Sequence, residues 1–105
     1  MKVHHLGGSR ENYAEWREVY SGKGGEYEMT VRYCSPVNRK LEIWVNGMEY
    51  EMEGLNSGGE DELREASCTI VLNSGYNNIR MGNRFGWAPD VDCFTLKEMK
   101  NKECI

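Results

Sequence analysis

The hydrophobic positions of this chain alternate with polar positions, which is the pattern of half-buried β-strands. The segment EYEMTVRYC (26–34) alternates over its whole length, and LEIWV (41–45) alternates after it. Asn-Gly at 46–47 follows at once, and this pair is a strong signal for a two-residue hairpin turn. Because MEYEM (48–52) alternates again, we predict a β-hairpin over residues 41–52.

The same pattern continues through the second half of the chain. CTIVL (68–72) and NNIRMG (77–82) predict two strands that are joined by the turn NSG. The last strand is predicted from about Val91 to Met99. Near the start, NYAEWREVY (12–20) has fair helix propensity, but its strand-rich surroundings and the glycines of SGKGG favour a strand.

One segment departs from the strand pattern. EDELREA (60–66) is predicted to form one helical turn within a long loop. About seven short strands with turns between them indicate an all-β fold, an antiparallel β-sandwich of the jelly-roll kind. A chain of 105 residues is long enough for one domain with a single modest core.

Composition and charge exclude several functional classes. Apolar residues make up 39% of the chain and charged residues 29%, which is typical of a globular protein. The net charge is −4 and no basic run is longer than two residues, so we expect neither a nucleic-acid partner nor an anionic membrane surface. No stretch approaches the roughly 18 apolar residues of a membrane span. The start, MKVHHLGGS, lacks the apolar run of a signal peptide. Either the protein is cytosolic, or this chain is part of a longer secreted one.

The four cysteines, Cys34, Cys68, Cys93 and Cys104, are widely spaced and form no C-x-x-C pair. This spacing excludes the usual zinc-binding motifs. Two disulfides in any of three pairings remain open. Because the first three lie in strand-like runs, we expect them to be small buried residues with free thiols.

Five segments in succession resemble β-sandwich carbohydrate-binding modules of families 6 and 35. They are GGEYEMTVRYCS, LEIWVNG, GLNSGG, IVLNSGYNNIRMGN and GWAPDVDCFTL. The resemblance extends from about Asn12 to Met99, and residues 6–21 are also similar to modules attached to α-galactosidase-like glycoside hydrolases. It implies that residues 1–105 form a single non-catalytic, N-terminally shortened module from a longer hydrolase. Such a hydrolase would be secreted, periplasmic or attached to the cell surface.

The resemblance also bears on calcium. Asp92 occupies the position of a calcium ligand on the last strand of such modules, but the glutamate that completes the site belongs to an earlier strand that this chain lacks. Strict alternation would place Asp92 on the same face as Phe94 and Leu96, pointing inward. An inward carboxylate needs donors or a metal. We therefore predict a hydrogen-bonded Asp92 and no cofactor.

The sugar site that the resemblance implies lies in the loops at one end of the sandwich. Glu60 stands where a tryptophan is common, and Asp90 stands where an asparagine is common. Trp87 is either the ring that stacks on the sugar or a plug over the core. Asn83 and Arg84 lie on the same loop, where Arg84 would pair with Asp90 or bind an acidic sugar. The acidic run that begins at Glu60 is expected to be a solvated loop.

A second candidate site is on the face of a sheet. Trp44 lies on the opposite face of its strand from Leu41, Ile43 and Val45, so it should point away from the core. An outward tryptophan is either a sugar platform or a contact with a neighbouring domain.

Catalysis is not expected. Asp90 and Asp92 are two residues apart on one strand, and this spacing does not create the cleft across which glycosidase carboxylates converge. The leading hypothesis is a module that holds a glycan, possibly containing galactose, near the parent catalytic domain. The alternative is a structural accessory domain that packs on its parent hydrolase and has lost sugar binding.

Overall fold

The computed structural model describes residues 6–9 and 12–99, and its regular elements are seven β-strands. They are β1 (Ala14–Ser21), β2 (Gly25–Ser35), β3 (Arg39–Val45), β4 (Met48–Leu55), β5 (Gly59–Leu72), β6 (Gly75–Gly82) and β7 (Asp90–Glu98). One antiparallel sheet has the order β1-β6-β3-β4, and the other has the order β5-β2-β7. The predicted all-β sandwich is confirmed. Within the described residues no helix is long and apolar enough to cross a membrane.

The core lies between the two sheets and is built from the alternating apolar positions. Its fully buried side chains include Met29, Val31, Leu41, Ile43, Val45, Ile70, Leu72, Ile79, Met81 and Val91. Burying each such side chain contributes about 1.5–3 kcal/mol. Trp16 of β1 and Phe94 of β7 meet edge to face with their ring centroids 4.8 Å apart, and this contact joins the two sheets.

The segment predicted as a helical turn belongs to β5, which is a strand of 14 residues. The last three residues of this segment pair with β2, with Ala66 opposite Val31 and Arg64 opposite Tyr33, and the register then shifts so that Gly59 lies opposite Ser35. The prediction was wrong because backbone pairing with β2 outweighs local helix propensity. Glu60 and its acidic neighbours are therefore exposed strand residues and not loop residues.

The predicted inward position of Asp92 is also wrong. The β2–β7 register shifts between Arg32, which is opposite Cys93, and Tyr33, which is opposite Val91. Asp92 is thus the extra residue of a β-bulge, which breaks the alternation of β7 at this point. Val91 is buried, whereas the Asp92 carboxylate lies beside the outward guanidinium of Arg32, with 3.9 Å between Oδ2 and Nη1.

The cysteines differ in burial. Cys34 is buried, as predicted, but Cys68 is half-buried and Cys93 is exposed. Cys68 and Cys93 are free thiols, and burial raises the pKa of the Cys68 thiol. Cys104 lies outside the described residues.

Candidate functional site

A groove runs over the outer face of the four-stranded sheet. Trp44 of β3 is opposite Arg80 of β6. Their neighbours along the strands are buried, and since side chains alternate along a strand, Trp44 and Arg80 both point outward. The groove has a volume of about 450 Å³. It is lined by Trp44, Asn46, Gly47, Asn78, Arg80 and Arg84, and we call it the Trp44 groove. The prediction that Trp44 leaves the core is confirmed.

Arg84 reaches the groove because a buried carboxylate holds it there. Glu42 is fully buried on the outer face of β3, beneath Arg84. Its Oε2 accepts a hydrogen bond from Nη2 of Arg84 at 2.8 Å, and its Oε1 accepts one from the Arg84 backbone N–H. Nη2 of Arg84 also contacts Oε1 of Glu49 at 2.6 Å. Arg84 thus pairs with these two glutamates, whereas one of the two alternatives drawn from the sequence paired it with Asp90.

The pKa of Glu42 in the ion pair with Arg84 depends on burial and on two nearby cations. Burial alone raises the pKa of Glu42, but the hydrogen bonds and charge of Arg84, with the charge of Lys40, outweigh burial and lower that pKa. Glu42 is therefore ionised, and its charge holds the guanidinium of Arg84 in place. The Cζ of Arg84 lies 5.5 Å from the ring centroid of Trp44.

Arg80 is held by a second carboxylate. Its Nε lies 2.6 Å from Oε2 of Glu15, and Arg17 and Asn78 also donate to Glu15. The hydrogen bonds from Arg17, Arg80 and Asn78 lower the pKa of Glu15 to about 2. The guanidinium of Arg80 also stacks on Tyr13, with 4.6 Å from Cζ to the ring centroid. Both arginines of the Trp44 groove are thus paired with carboxylates.

Two carboxamides complete the groove. Asn46 begins the hairpin turn in the left-handed region, at a φ of 51°, which asparagine adopts more readily than most residues. Its Oδ1 accepts a hydrogen bond from the backbone N–H of Asn78 at 2.9 Å. Among the described residues, Oδ1 of Asn78 is the buried side-chain polar atom that has no hydrogen-bond partner. The Nδ2 of Asn78 donates to Oε2 of Glu15 at 3.2 Å, and its second N–H can donate to a ligand hydroxyl.

The other candidate residues lie at the loop end of the sandwich. Trp87 is 54% exposed and its ring lies over Gly8. Asn83 is buried, and its amide donates to the Lys40 carbonyl at 3.1 Å and accepts from the Phe85 backbone N–H at 3.0 Å. Asn83 therefore shapes the loop.

Two further residues also stand outside the Trp44 groove. Asp90 is half-buried at the start of β7, opposite Cys34, and Glu60 is exposed at the start of β5. The structure thus brings together only Trp44 and Arg84 of the six residues that the sequence suggested as sugar ligands. Alternation along NNIRMG was the signal that could have added Asn78 and Arg80.

The described residues do not fit a calcium site at Asp92. The ion partner of Asp92 is a cation, Arg32, and no cluster of three acidic, histidine or cysteine ligands in the described part of the chain includes Asp92. The cluster that does occur joins Glu42, Glu49 and Glu51. Arg84 and Lys40 lie among these carboxylates and compensate their charge.

Solved structures provide the clearest similarities. A family 35 carbohydrate-binding module from Clostridium thermocellum superimposes with a TM-score of 0.84 at 29% identity, over 89% of this chain and 75% of that one. The Xyl-CBM35 module, solved with a glucuronic acid-containing disaccharide, gives a TM-score of 0.72 at 18% identity, over 93% and 81% of the two chains. No protein-family model matches the sequence, and no curated protein is significantly similar to it.

A third similar structure is an enzyme. The exo-β-1,3-galactanase of Phanerochaete chrysosporium, solved with β-1,3-galactotriose, gives a TM-score of 0.77 at 24% identity. The match covers 88% of this chain but only 22% of the galactanase.

The two-sheet fold and the similarity to the family 35 module of Clostridium thermocellum indicate a non-catalytic carbohydrate-binding module. The prediction of a module of the family 6 or family 35 type is supported by the similarity to this family 35 module at 29% identity. The similarity to the family 35 module, which is itself a binding module, supports the prediction that the domain is not an enzyme.

Proposed function

We propose that this module binds a neutral, galactose-containing glycan in the Trp44 groove. The observation that carries the proposal is the lining of the groove, in which one tryptophan ring lies beside two carboxamides and two charge-compensated arginines. Sugar-binding sites combine a flat aromatic ring, which packs on the C–H face of a pyranose, with a few polar groups that bind the hydroxyls.

The charges of the groove favour a neutral sugar over an acidic one. Arg80 is paired with Glu15, and Arg84 is paired with Glu42 and Glu49. A sugar carboxylate would have to compete with these glutamates for both guanidiniums. Hydroxyl groups, in contrast, can hydrogen-bond to Asn46 and Asn78 without breaking an ion pair.

We further propose that the module is attached to a secreted, α-galactosidase-like glycoside hydrolase. The galactanase supports attachment to a glycoside hydrolase, since a region similar to this chain makes up about a fifth of that enzyme. Its bound galactotriose also supports galactose as a component of the glycan. Tethering a module to its enzyme raises the effective concentration of substrate at the catalytic domain.

A pair of tryptophan variants tests the site. Titration calorimetry with β-1,3-galactotriose should show that Trp44→Ala weakens binding by up to about tenfold, since it removes the stacking ring. Trp87→Ala, a matched change at the loop end, should leave binding unchanged. Affinity should not respond to moderate salt, because the ligand is neutral. Loss of binding in Trp87→Ala alone, or tighter binding of a glucuronic acid-containing disaccharide, would contradict the proposal.

One observation favours the alternative of an accessory domain that packs on its parent enzyme. Phe85 and Trp87, which are 81% and 54% exposed, lie close together on the loop between β6 and β7. Exposed aromatic residues of this kind are typical of contact surfaces. If no glycan on a broad array binds, and Phe85→Ala weakens association with the catalytic domain, the accessory role is the correct one.

A further inference from the structure

Two exposed tyrosines lie further along the sheet that carries the Trp44 groove. Tyr20 of β1 is directly opposite Tyr76 of β6, and they are 67% and 71% exposed. Their ring centroids are 5.5 Å apart with an angle of 62° between the planes. Neither ring contributes to the core, so packing inside the sandwich does not account for them.

The tyrosine pair lies on the same face as the groove. Along β6, Asn77, Ile79 and Met81 are buried, so the intervening residues point outward. Two of these outward residues, Asn78 and Arg80, line the Trp44 groove. The third is Tyr76, which therefore extends the same row towards the opposite end of the sandwich from the loop that carries Trp87.

The spacing of this row exceeds one sugar ring. Arg80, which is opposite Trp44, and Tyr76 are four residues apart on β6, or about 13 Å at roughly 3.3 Å per residue. Asn78 lies between them and lines the groove, and Asn46 is hydrogen-bonded beside it. The surface thus presents an aromatic ring, then two carboxamides, then two aromatic rings.

We infer that Tyr20 and Tyr76 form a second aromatic subsite, so that the module binds an oligosaccharide lengthwise along β6 and not a single terminal sugar. One sugar packs on Trp44, the next hydrogen-bonds to the carboxamides of Asn46 and Asn78, and a further one packs on the tyrosine pair. This inference rests on the proposed function, because it assumes that Trp44 binds a glycan.

A chain-length series tests the inference. Galactose and β-1,3-linked galacto-oligosaccharides of increasing length are titrated into the wild-type protein and into Trp44→Ala, Tyr76→Ala and Tyr76→Phe. An added aromatic contact corresponds to about a two- to tenfold gain in affinity, so wild-type binding should tighten by that factor once the chain reaches the tyrosines. Tyr76→Ala should abolish this gain and leave galactose binding unchanged. Tyr76→Phe keeps the ring and should retain the gain.

The outcomes separate the two proposals. If the wild-type protein binds none of these sugars, or if binding does not depend on Trp44, the proposed function fails and the inference fails with it. If binding depends on Trp44 but affinity is the same at every chain length, or if Tyr76→Ala retains the gain, only the tyrosine subsite is refuted. Thermal unfolding verifies that Tyr76→Ala is folded, as expected for a change at an exposed residue.

Discussion

The ion pair between Glu42 and Arg84, which lies beneath the Trp44 groove, should be a main source of stability for the outer face of the four-stranded sheet. Glu42 is fully buried, whereas the side chain of Arg84 is 27% exposed. Replacing Glu42 with alanine leaves the Arg84 guanidinium with Glu49 as its remaining ion partner. It also leaves the Arg84 backbone N–H without its acceptor.

The expected cost lies between two limits. Breaking a fully buried ion pair costs about 3–5 kcal/mol, whereas leaving one buried donor without a partner costs about 1–3 kcal/mol. Because Arg84 keeps access to water and to Glu49, we expect Glu42→Ala to lower the free energy of unfolding by about 2–3 kcal/mol. Glu42→Gln keeps an oxygen acceptor for the backbone N–H and should cost about 1–2 kcal/mol.

Urea unfolding followed by tryptophan fluorescence measures these differences. Glu51→Ala is the matched control, since Glu51 is exposed and contacts Lys40 at 3.7 Å, and it should cost less than about 1 kcal/mol. The double variant Glu42→Ala with Arg84→Ala should cost less than the sum of the two single changes, because no unpaired charge remains. A Glu42→Ala protein as stable as Glu51→Ala would refute this reasoning.

Two further predictions concern pH and calcium. The pKa of Glu15 falls from 4.5 to about 2 on folding, so the stability that its ion pairs contribute is present above about pH 4.5 and is lost as pH falls towards 2. The pKa of Glu42 is also lowered, so its contribution is likewise lost as pH falls. The urea midpoint should drop over this range, and a flat profile would contradict the ion pairs described above. Because Asp92 is paired with Arg32, adding calcium or a chelator should not change the melting temperature, and a calcium-dependent rise would show that other ligands complete a site.

Local features were predictable from the sequence. The β3–β4 hairpin follows from alternation and from Asn46-Gly47, because the turn needs the left-handed conformations that these two residues adopt, with φ of 51° and 87°. The outward position of Trp44 follows from the same alternation. The resemblance to carbohydrate-binding modules rests on such local segments, and the structural similarities confirm it.

Features that depend on distant parts of the chain were not predictable. The pairing of Arg84 with Glu42 joins residues 42 positions apart, and only the fold brings them together. The bulge at Asp92 shifts the period by one residue, which alternation alone cannot reveal. Asn78 and Arg80 could be assigned to an outward face, but only the order of β6 beside β3 places them next to Trp44.

The position of β5 at the edge of its sheet gives its acidic residues a protective role. β5 is a long strand, and in the described chain β2 is the one strand that pairs with it. Open strand edges invite pairing with another molecule, and charged side chains discourage it. Glu60, Asp61 and Glu62 crowd negative charge at the start of this edge, so two modules that approach edge to edge would repel each other. We therefore expect the acidic run to discourage self-association through this edge.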